Sequence, residues 1–99
     1  FLINYLSLEK PISQKDFSVL ISVPKRRFKH SHDRNYLKRS IIEALRKNKF
    51  ILEETKVFKN RPFAIAIIYN FNSLLTASEI EDKLVSTLIK FVAQIKQIN

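Results

Sequence analysis

Apolar and polar positions divide the chain into alternating structured blocks and polar connections. Phe1 to Leu8 carries β-branched and aromatic residues and predicts a strand. Glu9 to Asp16 is polar, includes Pro11, and predicts a hairpin-type loop. Phe17 to Val23 is a compact apolar run bounded by Asp16 and Pro24, which predicts a second strand. Pro24 has no N–H to donate and ends its pairing. A basic connection from Lys25 to His30 leads into a helix with Ser31 or Asp33 as N-cap. Leu37, Ile41, Ala44, Leu45 and Asn48 recur at helical spacing and define its buried side. Asn48, with the basic Lys47 and Lys49, suits its C-terminal end. Residues Phe50 to Pro62 are mixed and predict a short helical extension and a loop.

Phe63 to Tyr69 is apolar at alternating positions of both parities, the pattern of a central strand covered on both sides. Ser78 and Glu81 form a capping-box pattern. An apolar stripe of Ile80, Leu84, Leu88, Phe91, Val92 and Ile95 follows and predicts a second helix. The order is strand, strand, helix, strand, helix, with the two opening strands expected to pair antiparallel. That order predicts an α+β fold, a two-layer α-β sandwich with helices against a small sheet.

The 99 residues make one domain, 1–99, and 45% hydrophobic content supplies one modest core. Thirteen Ile and eight Phe argue against a disordered chain. The absence of Cys excludes disulfides and Cys-based zinc sites. The absence of Gly leaves Asn48, Asn60, Asn70 and Asn72 as candidates wherever a positive φ is needed. No apolar run approaches the roughly 20 residues of a membrane span, and no signal peptide is visible. The chain opens directly in a strand-like segment at Phe1, so natural N-terminal residues are expected to precede it.

Charge changes the picture most. Lys25 to Lys49 holds ten Lys/Arg against two acids, Asp33 and Glu43, which places eight of the chain's nine net positive charges there. Concentrated positive charge on an otherwise balanced small domain points to a polyanionic partner. With Arg34 at zero, helical geometry puts Lys38 near ~40°, Asn35 near ~100°, Arg46 near ~120° and Arg39 near ~140°, while Leu37, Ile41 and Ala44 fall at roughly 280–340°. The helix thus has adjacent basic and apolar flanks. Its first turn favours an anion, and Lys25, Arg26 and Lys29 lie just upstream. Asn35 offers a neutral donor–acceptor pair for a 2′-hydroxyl or base edge. A solvated charged face is the plain alternative. A membrane-surface role is disfavoured because the apolar flank is needed to cover the sheet.

Other chemistry is thin. A protein nuclease needs clustered carboxylates or an acid–base pair, and the basic segment offers only Asp33 and Glu43, ten residues apart. Glu79, Glu81 and Asp82 sit in a helix first turn, where acids serve the dipole. His30 and His32 read as surface polarity near phosphate in preference to a catalytic pair. Among the aromatics able to stack on bases, Tyr5 is favoured over Tyr36 and the Phe residues, most of which belong to the core.

From Ser22 to Arg46 the chain reads Ser-Val-Pro-Lys-Arg-Arg-Phe-Lys-His-Ser-His-Asp-Arg-Asn-Tyr-Leu-Lys-Arg-Ser-Ile-Ile-Glu-Ala-Leu-Arg. It resembles the signature of the bacterial ribonuclease P protein component: a strand ending in Ser-Val-x-Lys-Lys/Arg, a short basic loop, then Arg-Asn-Arg-x-Lys-Arg and a helix continuing to Glu-Ala. The matching residues are Lys25 and Arg26, then Arg34, Asn35, Lys38 and Arg39, then Glu43 and Ala44. Phe28 and Asp33 look like the Bacteroidetes-like variant. The chain departs from the pattern at Tyr36, where the family has its second Arg, and at Ser31-His32 in place of Ala-Val. It also lacks the loop Gly and any counterpart of the family's N-terminal helix before Phe1.

The resemblance implies a fold like the second domain of ribosomal protein S5, with a left-handed strand–helix–strand crossover where topology alone favours a right-handed one. It implies a cytoplasmic accessory subunit of a ribonucleoprotein endoribonuclease, a hydrolase that removes the 5′ leader of precursor tRNA. Catalysis would belong to the RNA subunit, using Mg²⁺, with no small-molecule cofactor and no membrane partner. The expected RNA-binding residues are Lys25, Arg26, Arg27, Lys29, Arg34, Asn35, Lys38, Arg39 and Arg46, with Tyr5 on the leader, and no catalytic or metal-binding residue in the protein. The alternatives are a ribosomal or other structural RNA-binding protein of similar fold, and a stand-alone nuclease using His30 and His32.

Overall fold

A computed structural model describes residues 1–7, 17–53 and 63–98. Its elements are strand β1 (Leu2–Ser7), strand β2 (Phe17–Ser22), helix α1 (Ser31–Lys47), the four-residue helix α2 (Phe50–Glu53), strand β3 (Phe63–Ile68) and helix α3 (Ala77–Ile98). The expected loops over 9–16 and 54–62 lie outside the described residues.

The sheet is mixed, in the order β1-β3-β2. β3 runs antiparallel to β1, with Tyr5 opposite Ile65, and parallel to β2, with Leu20 opposite Ala66. The opening strands therefore do not pair with each other as expected, because β3 lies between them. Composition explains the choice. β3 reads Phe-Ala-Ile-Ala-Ile-Ile and carries no polar side chain, whereas β1 contains Asn4 and Ser7 and β2 contains Ser18 and Ser22. The interior slot goes to the strand with nothing to solvate.

One face of the sheet carries the core. Ile3, Val19, Ile21, Ile65, Ile67 and Tyr69 meet Leu37, Ile41 and Ala44 of α1 and Ile80, Leu84, Leu88, Phe91 and Ile95 of α3 in a single cluster. Burying each large apolar side chain contributes about 1.5–3 kcal/mol, so both helices are held chiefly by this shared contact. The opposite face corrects the expectation of cover on both sides. Ala64, Ala66 and Ile68 are only half-buried there, Asn4 is exposed, and Leu2 and Leu20 are 49% and 67% exposed. The small Ala64 and Ala66 lie low between the flanking strands.

Helix ends also differ from the pattern. His30, in extended backbone and with no side-chain cap, is the N-cap of α1. Its carbonyl accepts from the N–H groups of Asp33 (3.1 Å) and Arg34 (3.3 Å), so Ser31 and Asp33 fall inside the helix. At the other end Asn48 donates its N–H to the carbonyls of Ala44 and Leu45, both at 3.2 Å, and its Nδ2 to Ala44 O at 2.8 Å. No described residue has a positive φ. Asn48 therefore closes the helix by side-chain donation, Asn70 and Asn72 need no left-handed backbone, and Asn60 lies outside the described residues. For α3, Thr76 and Glu79 form the capping box. Thr76 N–H donates to Glu79 Oε1 (3.1 Å) and Glu79 N–H to Thr76 Oγ1 (3.2 Å). The expected pair Ser78 and Glu81 has the same spacing two residues later, but Glu81 is engaged by Asn48 Nδ2 at 3.0 Å.

Candidate nucleic-acid interface

β2 ends in a turn that sets the basic loop. Pro24 O accepts from Arg27 N–H (3.2 Å) and Phe28 N–H (3.3 Å). Phe28 is buried, its ring edge-on to Tyr69 with centroids 5.6 Å apart, and so anchors the middle of the loop in the core. The residues on either side of it, Lys25, Arg26 and Lys29, stand exposed. Four residues into α1 the exposed side resumes with Asn35, Lys38 and Arg39, opposite the buried Leu37 and Ile41.

The nine expected RNA-binding residues divide into two groups. Lys25, Arg26, Lys29, Asn35, Lys38 and Arg39 are exposed and make no hydrogen bond or ion pair with their side chains among the described residues. Arg27, Arg34 and Arg46 have partners. Arg34 Nη1 donates to Phe28 O at 2.7 Å and Lys29 O at 2.9 Å. Arg27 Nη1 donates to Asn70 O at 3.2 Å and to Asn72 Oδ1. Arg46 pairs with Glu43 at 2.6 Å, which holds the Glu43 carboxyl below its ordinary value and raises Arg46. Both groups of that pair are more than half exposed, so the pair is weak and a phosphate can compete with Glu43 for Arg46.

Tyr36 was passed over as a site residue, yet its hydroxyl donates to Leu75 O at 3.0 Å. Its spacing in the first turns of α1 gave no sign of this, because the acceptor comes from 39 residues along the chain. Tyr5 lies on β1. It shares the helix-covered face with Ile65, and its ring meets Phe91 with centroids 5.9 Å apart, leaving it 42% exposed at the β1 edge. The open face instead presents Leu2, Asn4, Ser18, Leu20 and Ser22.

Acidic and imidazole groups gather no centre. Glu43 is held by Arg46, Glu79 by Thr76 and Glu81 by Asn48. No group of three His, Asp or Glu able to hold a metal ion occurs among the described residues. His30 and His32 are exposed, and neither side chain makes a hydrogen bond there. No helix among the described residues is long and apolar enough to cross a membrane.

A family model described as Ribonuclease P matches residues 1–92, which takes in the whole basic loop and α1. No curated protein and no solved structure matches the chain.

Proposed function

The chain belongs to the ribonuclease P family, and from that premise we propose that it is the protein subunit of the ribonucleoprotein. It docks on the catalytic RNA through its basic loop and α1, and holds the 5′ leader of precursor tRNA on its open sheet face. The observation that carries this reading is a set of five exposed cations, Lys25, Arg26, Lys29, Lys38 and Arg39, with no side-chain partner among the described residues, on two consecutive elements inside the family match. Free cations on one segment neutralise phosphates and release counterions, and they do so irrespective of base sequence. Asn35 beside them can meet a 2′-hydroxyl.

The leader, being single-stranded, needs a surface that accepts bases and sugars without a fixed hydrogen-bond code. Leu2 and Leu20 supply exposed apolar contact, and Asn4, Ser18 and Ser22 supply polar groups between them. Tyr5 reaches the leader only from the rim of β1, so the main leader contact passes from Tyr5 to this face. The S5-like domain with a left-handed crossover is part of the same reading and rests on the family.

Hydrolysis belongs to the RNA subunit in this proposal. Mg²⁺ supplies an activated water and charge neutralisation there, and the protein's part is to bind, orient and screen. Such a complex works in the cytoplasm on newly made transcripts. The test is cleavage of a precursor tRNA by the cognate RNA subunit at low Mg²⁺, with and without this protein. The expected result is strong rescue by the protein and no cleavage by the protein alone. Equal rates with and without it at every salt concentration would remove the assignment and favour a structural RNA-binding protein. Cleavage by RNA-free protein would revive the His30/His32 nuclease.

A further inference from the structure

We propose that Arg27, Arg34 and Tyr36 are positioning residues that preset the basic loop against α1, and that they are not RNA ligands. The inference rests on the RNA-docking reading above. Arg34 sits in the first turn of the helix, where a guanidinium could grip a phosphate with two bonds. Its Nη1 is instead directed at the carbonyls of Phe28 and Lys29. The side chain ties the last residues of the loop to the helix that follows.

The other two struts run to a single second loop, between β3 and α3. Arg27 donates to Asn70 O and Asn72 Oδ1, and Tyr36 donates to Leu75 O. Tyr69 fixes that loop from inside. Its hydroxyl donates to Ser73 O at 2.6 Å and accepts from Leu75 N–H at 3.3 Å. The segment from Asn70 to Leu75 is thus a bracket on which both the basic loop and α1 are mounted. Lys25, Arg26 and Lys29 are held at a fixed relation to Lys38 and Arg39 before RNA arrives. Ordering these groups in advance reduces what binding must overcome.

The experiment compares affinity for the cognate RNA subunit over a salt series for wild type, Tyr36→Phe, Arg34→Lys, Arg34→Ala and Lys38→Ala, at a temperature where circular dichroism shows each protein folded. Tyr36→Phe is expected to bind about tenfold more weakly, the size of one lost hydrogen bond, with the dependence of log affinity on log salt unchanged. Arg34→Lys keeps the charge on a shorter stem without the planar guanidinium that places Nη1 between the two carbonyls, so it too binds more weakly at an unchanged slope. Lys38→Ala lowers the slope by about 0.7–0.9, one phosphate contact. The proposal is overturned if Arg34→Lys binds like wild type while Arg34→Ala loses slope as Lys38→Ala does, since a phosphate ligand is rescued by Lys. It is overturned equally if Tyr36→Phe binds like wild type, and this variant decides the matter should Arg34→Lys not fold. Loss of neither affinity nor slope in Lys38→Ala sinks the docking reading itself, a different result.

Discussion

Removing two exposed cations of α1, Lys38→Ala with Arg39→Ala, tests the docking surface directly. Each phosphate contact contributes a slope of about 0.7–0.9 in log affinity against log salt. Five cations with no side-chain partner among the described residues, Lys25, Arg26, Lys29, Lys38 and Arg39, therefore set a slope of about −3.5 to −4.5 if each meets a phosphate. Between 50 and 200 mM salt that slope weakens binding roughly 130- to 500-fold. The double variant keeps three of them, and the same salt change weakens its binding only about 20- to 40-fold. Neither side chain makes a hydrogen bond or ion pair with another described residue, so thermal unfolding should stay close to wild type. Filter binding of labelled RNA subunit at four or five salt concentrations reads the slope. A double variant that binds more weakly but keeps the wild-type slope would refute the reasoning, because the two cations would then act through protein conformation and not at phosphates.

Three further outcomes follow from the fold. Leu84→Ala empties a fully buried site in α3 and should cost about 2–5 kcal/mol in urea unfolding. Burial raises the Tyr69 hydroxyl above its ordinary 10.0, opposed by the Leu75 backbone bond; the group's contribution is complete below that value and is lost as pH rises through the raised one. Wild-type stability should accordingly fall above about pH 10, and Tyr69→Phe should flatten that fall while costing about 1–3 kcal/mol at neutral pH for the unpaired Ser73 and Leu75 groups. Leu20→Asp, on the open face, should weaken leader-dependent binding of precursor tRNA while leaving affinity for the RNA subunit and the urea midpoint nearly unchanged.

The elements were legible in the sequence because their signals are local. The stripe from Ile80 to Ile95 and the run from Phe63 to Tyr69 need no partner to be read, and the buried faces came out as their spacing predicts. Strand pairing was not legible in the same way. A hairpin between β1 and β2 is the short connection, and only competition for the interior slot puts β3 between them. Register of the cap at α3 failed for a related reason: Thr76/Glu79 and Ser78/Glu81 satisfy one pattern, and the choice depends on Asn48, 33 residues away from Glu81. The face that Tyr5 takes was not legible either. One step of alternation in a strand moves a side chain to the other face, and apolar Leu2 and Ile3 lie on opposite faces of β1.

The basic stretch carries the most instructive separation. By composition its cations are equivalent, yet they take different roles once folded. Lys25, Arg26 and Lys29 stay exposed, while Arg27 and Arg34 turn to carbonyl oxygens. A guanidinium has several donors in a rigid plane and can serve more than one backbone acceptor at once, which an ammonium on a flexible stem does less well. The loop has no glycine to help it fold back on itself, and arginines supply the closure through their side chains instead. β2 then links this loop to the open face. Tyr69 N–H donates to Ser22 O at 2.9 Å, which fixes the end of β2 two residues before the Pro24 turn. On the proposed function, a strand of RNA lying along Ser18, Leu20 and Ser22 would be led to the exposed cations of the loop, so the proposed leader and docking surfaces would form one path, with the bracket loop setting how they meet.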